Sequence, residues 1–347
     1  MEKRSITILV ALLLIAVTAH AQTDKYQYQV LNRQNEEILL FQRLSDVAYV
    51  DKVRLIGPAK AVPAKPVCEF KDSLRTNGLQ FYAYVFFPEK TRQGRKYPLM
   101  VLNHGGIHGN FSTVFVHIVR ELVAQGYIVV APDYRGSTGY GKSFYEAIDY
   151  GGLENEDVLA ARDYMVENYS VVDPDRVGIM GWSHGGMTTL MNILQWPEKY
   201  TCAYAGVPVS DVAYRLSYQA PSYKNEFSAA YHIGALPEEA PEEYARRSPV
   251  NYADRLQRPL MITTCVNDDD VSWTEVDRMA EALKAAGKDF RYKVYPRMSG
   301  AHVFERIDAK EATDIRFETY RFMAEYLKPP RPFKTKADLR KAGYKYY

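Results

Sequence analysis

The sequence has 347 residues, few cysteines and little net charge. Its three cysteines, Cys68, Cys202 and Cys265, are far apart and show neither a disulfide framework nor the spacing of a metal site. No pattern in the sequence implies a metal or an organic cofactor, so we expect neither. The odd number of cysteines leaves at least one thiol unpaired if the chain is exported. The formal net charge of +2 is too small to indicate binding to nucleic acid or to an anionic membrane.

Long hydrophobic runs are also scarce, and the one near the N-terminus is short for a membrane span. Two basic residues precede this run at 6–17, and the small residues at 19–21 resemble a cleavage site. The pattern predicts a signal peptide at 1–21, a mature chain that starts at Gln22, and a secreted or periplasmic protein without stable membrane insertion. An uncleaved membrane anchor is the alternative.

Short apolar runs alternate with amphipathic, helix-like segments through most of the chain after residue 77. This alternation predicts an α/β fold, in which helices cover both faces of a mostly parallel sheet. The functional site of such a fold lies where the strands end. Tyrosine-rich residues 210–256 interrupt the alternation, and we interpret them as a small cap that shapes the site. A surface insertion without substrate contact is the alternative.

Two further segments flank this main domain, which we place at 77–327. Residues 22–76 are expected to form an N-terminal extension that packs on it, and residues 35–53 have some helical spacing. Residues 328–347 hold seven basic and one acidic side chain, a net charge of 7 − 1 = +6. We interpret this basic tail as a solvated extension, with a binding device as the alternative.

The sequence Gly181-Trp182-Ser183-His184-Gly185 matches the G-x-S-x-G pattern between an apolar strand and a helical run. In that context the pattern predicts a nucleophile elbow, a sharp turn that presents Ser183 at the N-terminus of a helix. The two glycines are needed because side chains beside the serine would clash in so tight a turn. A glycine-rich turn with an unreactive serine is the alternative.

A serine hydroxyl needs a base to take its proton and a carboxylate to orient that base. In this fold the acid and then the histidine follow the serine along the chain. Three consecutive aspartates, Asp268 to Asp270, follow a late strand, and His302 follows the last strand. We therefore predict His302 as the base, while the order of residues alone leaves the choice among the aspartates open. A solvated acidic loop and a surface histidine are the alternatives.

An oxyanion requires two backbone N–H donors. One is predicted at His184, directly after the nucleophile, and the other at Gly106 in the early His-Gly-Gly loop. His104 competes with His302 as the base, but it precedes Ser183 in the chain. We therefore expect a structural role for His104.

Several separated motifs together resemble the catalytic domain of the prolyl oligopeptidase family, which includes dipeptidyl and acylaminoacyl peptidases. They are Asp133-Tyr134-Arg135-Gly136-Ser137-Thr138-Gly139-Tyr140-Gly141, Asp149-Tyr150-Gly151-Gly152, Gly181-Trp182-Ser183-His184-Gly185-Gly186 and Ser248-Pro249. The resemblance covers about residues 80–327 and implies an α/β-hydrolase fold. The family's D-x-x-V pattern implies that Asp268 is the orienting acid. Residues 22–76 are too few for the family's β-propeller, and Ile107 stands where many members have proline.

This resemblance implies a serine peptidase that cleaves short peptides through an acyl-enzyme, with Ser183, Asp268 and His302 as the triad. A carboxylesterase that acts on small or carbohydrate-linked acyl esters would use the same residues and is the alternative. A non-enzymatic binding module is a third reading, which the complete set of three residues disfavours. The expected partner is a small peptide or ester substrate.

Overall fold

An eight-stranded sheet forms the centre of the computed structural model, which describes residues 25–59, 78–92 and 94–343. The strands are β1 Ala48–Ile56, β2 Gln80–Pro88, β3 Tyr97–Asn103, β4 Ile128–Asp133, β5 Val172–Trp182, β6 Cys202–Gly206, β7 Leu260–Cys265 and β8 Arg291–Tyr295. Their order in the sheet is β1-β2-β4-β3-β5-β6-β7-β8. The strands from β4 to β8 in this order run parallel, whereas β2 pairs antiparallel with both β1 and β4.

Helices connect the strands and cover the sheet. They are α1 at residues 25–44, α2 Val116–Gln125, α3 Lys142–Tyr145, α4 Leu153–Asn168, α5 His184–Gln195, α6 Val212–Tyr218, α7 Pro221–Phe227, α8 Pro241–Arg246, α9 Trp273–Ala285, α10 Lys310–Leu327 and α11 Lys336–Ala342. None of the helices in the described part of the chain combines the length and the apolar character that a membrane span needs.

Two hydrophobic cores lie on opposite faces of the sheet, as the alternation along β3 shows. Leu99 and Val101 belong to one core, and Met100 and Leu102 to the other, because successive side chains of a strand point to opposite faces. The first core includes residues of α4, α5 and α9, and the second includes residues of α2 and α10. All seven residues of β3 are buried, which explains why the central strands read as continuous apolar runs.

The helical spacing at residues 35–53 predicts the secondary structure of the N-terminal region only in part. Helix α1 ends at residue 44, and β1 begins at Ala48 and pairs with β2 along its whole length. The buried face of α1 is formed by Leu40 and Leu44, whereas Ile38 is exposed. The prediction was wrong beyond residue 44 because pairing with β2 outweighs the local helical pattern.

The tyrosine-rich insertion and the basic tail both contain helices. Residues 210–256 contain α6, α7, α8 and a 3₁₀-helix, Pro249–Arg255. The basic tail contains α11, which begins with a capping box between Thr335 and Asp338 and buries Leu339. This part of the tail therefore packs on the domain through Leu339, while most of its other side chains are exposed. The predicted signal peptide at 1–21 and the predicted start at Gln22 lie outside the described residues, as do Cys68, Asn77 and residues 344–347.

Candidate active site

Ser183 lies in the tight turn between β5 and α5. Its backbone has a φ of 60° and a ψ of −124°, in a region that costs a residue with a Cβ atom strain energy. A Cβ atom at Gly181 would lie 2.4 Å from the Gly185 carbonyl oxygen, and one at Gly185 would lie 2.5 Å from that of His104. The structure thus shows a physical need for both motif glycines, and it places Ser183 at the N-terminus of α5.

Asp268 and His302 come together from the loops that follow β7 and β8. His302 Nδ1 lies 2.9 Å from both carboxylate oxygens of Asp268. Asp268 Oδ1 also accepts hydrogen bonds from the backbone N–H groups of Asp270 and Val271, at 2.9 and 2.8 Å. Since a carboxylate only accepts, His302 Nδ1 carries the proton and Nε2 is left with the lone pair. The Asp268 side chain is fully buried.

The other two aspartates of the run have different surroundings. Asp269 is exposed. Asp270 forms an ion pair and a hydrogen bond with the buried guanidinium of Arg215, on α6. Asp270 Oδ2 also lies 3.6 Å from His302 Nε2. The imidazole therefore stands between two carboxylates, of which only Asp268 contacts Nδ1.

Ser183 and His302 are not joined directly. Among the described residues, no hydrogen bond links Ser183 Oγ to His302, although Ser183 and Asp270 line one cavity. Hydrogen bonds between a nucleophile and its base are often long or missing without substrate. The structure therefore brings Asp268 and His302 together and leaves the serine hydroxyl outside this pair.

Arg306, which the sequence motifs did not reveal, lies beside the turn of Ser183. Its Nη2 donates a 3.0 Å hydrogen bond to the carbonyl oxygen of His302. A Cβ atom at Gly105 would lie 3.3 Å from Arg306 Nη1 and 3.5 Å from Ser183 Cβ, so the guanidinium is close to the nucleophile. Burial lowers the pKa of Arg306, while the carboxylates of Glu305 and Asp268 act in the opposite direction.

A cavity of about 340 Å³ is lined by Ser183 and by both residues predicted for the oxyanion hole, Gly106 and His184. Gly106 has a φ of 78°, which glycine adopts without strain. The cavity is also lined by Tyr145, Tyr150 and Val209. The predicted donors therefore border the same space as the nucleophile.

His104 contacts the interior rather than the cavity. Its Nε2 lies 2.9 Å from Ser137 Oγ, and its ring stacks on Tyr134 with 4.2 Å between the ring centroids. Burial lowers the pKa of His104 to about 4. These contacts hold the loop in place, which is the structural role expected from the sequence.

The tyrosine-rich segment contributes three side chains to the cavity, namely Arg215, Tyr223 and Glu226. Tyr223 belongs to the tyrosine pattern of this segment, whereas no motif marks Arg215 or Glu226. The signal for Arg215 was an arginine among the apolar residues of α6, where it is almost completely buried. Such a residue needs charged partners, and it has them in the completely buried Glu275 and the partly exposed Asp270.

The chain is similar in sequence to known peptidases. A sequence profile of the prolyl oligopeptidase family matches residues 113–330. The uncharacterized peptidase YuxL of Bacillus subtilis is 30% identical over 226 residues, which cover 64% of this chain and 34% of that protein. Dipeptidyl aminopeptidase BIII of Pseudoxanthomonas mexicana is 31% identical over 219 residues, which cover 62% of this chain and 31% of that protein.

A solved structure of a puromycin-hydrolyzing peptidase from Mycobacterium tuberculosis is also similar. Its TM-score is 0.64 at 26% sequence identity, and the match covers 81% of this chain and 40% of that one. This similarity confirms the α/β-hydrolase fold predicted from the sequence. The present chain spans about a third of the length of the two curated relatives.

Proposed function

Because the chain belongs to the prolyl oligopeptidase family, we propose that it is a serine peptidase that cleaves short peptides through an acyl-enzyme. Ser183 is the nucleophile, His302 the base and Asp268 the orienting acid. The observation that carries this proposal is the contact of His302 Nδ1 with both Asp268 oxygens, at 2.9 Å, in the strand-end region from which Ser183 projects. The relatives named as peptidases support the reaction class.

The proposed reaction follows from the proton positions. Ser183 Oγ attacks the peptide carbonyl while His302 Nε2 takes its proton, and Asp268 stabilises the imidazolium that forms. The backbone N–H groups of Gly106 and His184 stabilise the oxyanion. His302 then gives the proton to the departing amine, and water releases the acyl group by the same steps. Since Nε2 faces Asp270 in this structure, the first step requires a Ser183–His302 hydrogen bond to form when substrate enters.

The cavity is large enough for small substrates. Its charged side chains are Arg215, Asp270 and Glu226, and two histidines also line it. Since Arg215 and Asp270 are paired with each other, Glu226 is the carboxylate in the lining that is left to face a substrate cation. A peptide with a free amine could use this group, whereas a blocked peptide or an acyl ester would not need it. Comparing such substrates therefore tests both the activity and its specificity.

The experiment uses two chromogenic dipeptide amides, one with a free and one with an acetylated N-terminus, beside a short acyl ester. We expect hydrolysis of at least one amide, and labelling of Ser183 by a fluorophosphonate probe. The Ser183→Ala variant controls for contaminating hydrolases. Hydrolysis of the ester alone would replace the peptidase by the carboxylesterase. A wild-type protein that neither reacts with the probe nor cleaves any of the three substrates would contradict a hydrolase.

We also propose that the protein is secreted or periplasmic. The basic residues, the apolar run at 6–17 and the small residues at 19–21 support this proposal. Expression with the full N-terminal sequence, followed by N-terminal sequencing of the exported protein, tests it. The expected first residue is Gln22. Recovery of the chain only in the cytoplasm, with Met1 retained, would contradict export.

A further inference from the structure

Two histidines and one glutamate converge at the side of the cavity. His108 follows β3, Glu226 lies in α7, and His232 follows α7. The two Nε2 atoms are 3.2 Å apart, and Glu226 Oε1 lies 4.0 Å from His108 Nε2 and 3.9 Å from His232 Nε2. These atoms thus form a compact triangle of one oxygen and two nitrogens, which are common metal ligands.

The hydrogen bonds of His108 determine which ring nitrogen can bind a ligand. Its Nδ1 lies 2.8 Å from the carbonyl oxygen of Gly136. A carbonyl oxygen only accepts, so Nδ1 carries the proton and the lone pair of Nε2 points towards His232 and Glu226. Metal-binding histidines are commonly oriented in this way, by donating their other N–H to a backbone carbonyl.

Aromatic packing holds both imidazoles in place. The ring of Tyr145 stacks on His108 with 3.4 Å between the centroids and an interplanar angle of 7°. The His232 side chain is fully buried, and its ring contacts Tyr231 and Phe227. Two ligands held in advance lower the entropy lost when an ion binds.

The distances suit zinc. With Zn–N bonds of about 2.0–2.1 Å, tetrahedral ligands are about 3.3 Å apart, close to the separation of the two Nε2 atoms. Glu226 Oε1 would have to approach by less than about 1 Å, a small movement for a side chain that is 35% exposed. Three protein ligands leave a fourth position for water or a substrate group.

We propose that His108, His232 and Glu226 bind one Zn²⁺ ion at the side of the cavity that Ser183 lines. The ion and its fourth ligand occupy part of a space of about 340 Å³, so zinc binding lowers access of substrate to Ser183. His108 is separated from Glu226 by 226 − 108 = 118 positions, although Glu226 and His232 are only 232 − 226 = 6 positions apart. This spacing explains why no metal motif is visible in the sequence.

The test measures zinc binding directly, by isothermal titration calorimetry of the chelator-treated protein. We expect one ion per chain. His108→Gln and Glu226→Gln should each weaken binding by more than the roughly 10–100-fold typical of groups that only orient a ligand. His117→Gln, a histidine on α2 outside this triangle, should leave the affinity unchanged. Glu226→Gln alters a partly exposed side chain, so it remains informative if His108→Gln does not fold.

Two results would overturn the proposal. One is the absence of stoichiometric binding by the wild-type protein, which would leave the His108–His232 contact as a structural hydrogen bond. The other is binding that both variants retain, which would place the ion elsewhere, for example at Asp268 and His302. The measurement does not require activity and can be repeated on Ser183→Ala, so its failure is distinct from failure of the proposed peptidase. Zinc should also inhibit hydrolysis of the acetylated amide or the ester, which do not need Glu226, and this inhibition should disappear in Glu226→Gln.

Discussion

Glu305 Oε2 accepts a 2.7 Å hydrogen bond from Trp182 Nε1. The bond connects the residue before Ser183 to the segment that follows His302. Tyr204, on β6, donates to the same carboxylate oxygen, and all three side chains are buried. The nucleophile turn and the histidine loop are therefore connected through the interior of the protein.

Replacing Glu305 by glutamine should change how stability depends on pH. Burial raises the pKa of Glu305 above its usual value. Between the unfolded-state pKa of about 4.3 and this raised value, the folded protein binds more protons than the unfolded chain, so stability falls as the pH rises. Glu305→Gln removes this contribution. Urea denaturation from pH 4.5 upward should show the variant gaining stability relative to wild type.

The control for this prediction is Glu281→Gln, which alters an exposed glutamate of α9. Its stability should follow that of the wild-type protein across the same pH range. A difference between wild type and Glu305→Gln that does not vary with pH would contradict the prediction.

Removing the hydroxyl of Ser183 should abolish turnover if this residue is the nucleophile. Triad residues act as a unit, so Ser183→Ala should lower kcat by several powers of ten. Ser217→Ala, an exposed serine of α6, should retain wild-type activity. Steady-state kinetics on the best substrate provides the measurement. Equal turnover by the wild type and a pure Ser183→Ala preparation would assign the reaction to another group.

The adjacent aspartates provide a matched test of the orienting acid. Asp268→Asn should lower kcat by about 10⁴, as in the worked serine-protease triad, because the amide no longer holds the required imidazole tautomer. Asp269→Asn alters an exposed side chain one position away and should have little effect. A larger loss of kcat for Asp269→Asn than for Asp268→Asn would refute this assignment.

Arg215 should matter for stability, because it pairs with the completely buried Glu275. Arg215→Met would leave that carboxylate, and the half-exposed Asp270, without their cation. Removing one partner of a buried pair typically costs about 3–5 kcal/mol of unfolding free energy. Arg278→Met breaks a pair in which the arginine is 53% exposed, and should cost at most about 1 kcal/mol. Similar denaturation midpoints for the two variants would show that Arg215 is not needed to compensate Glu275.

Local patterns in the sequence predicted the alternation of strands and helices after residue 77 and the residues of the elbow, because both depend on neighbours along the chain. The periods of apolar residues identified β3 and β5, and the two glycines identified the turn of Ser183. In these cases the determining interactions are short-range, or follow from the regular topology of a parallel sheet. The choice of Asp268 among the three aspartates came instead from the resemblance to the family, and Asp268 is the one that contacts His302 Nδ1.

Other features depend on contacts between distant segments, so local patterns in the sequence could not predict them. Helix α1 ends at residue 44, before the helical spacing in the sequence ends, because the following residues pair with β2. The partner strand lies further along the chain, so the local sequence does not reveal the pairing. Glu226 and His108 meet only through tertiary packing. The position of His302 Nε2 beside Asp270, without a hydrogen bond to Ser183, depends on side-chain conformation rather than on residue type.

The backbone at Ser183 places function and stability in opposition at a single residue. A non-glycine residue held at a φ of 60° and a ψ of −124° costs the folded state about 1–3 kcal/mol. Glycine would adopt this conformation without a Cβ clash, but it has no hydroxyl. Selection for thermal stability alone would therefore favour replacing the serine. Its retention would reflect selection for chemistry, and laboratory evolution for heat resistance without an activity screen should lose this residue early.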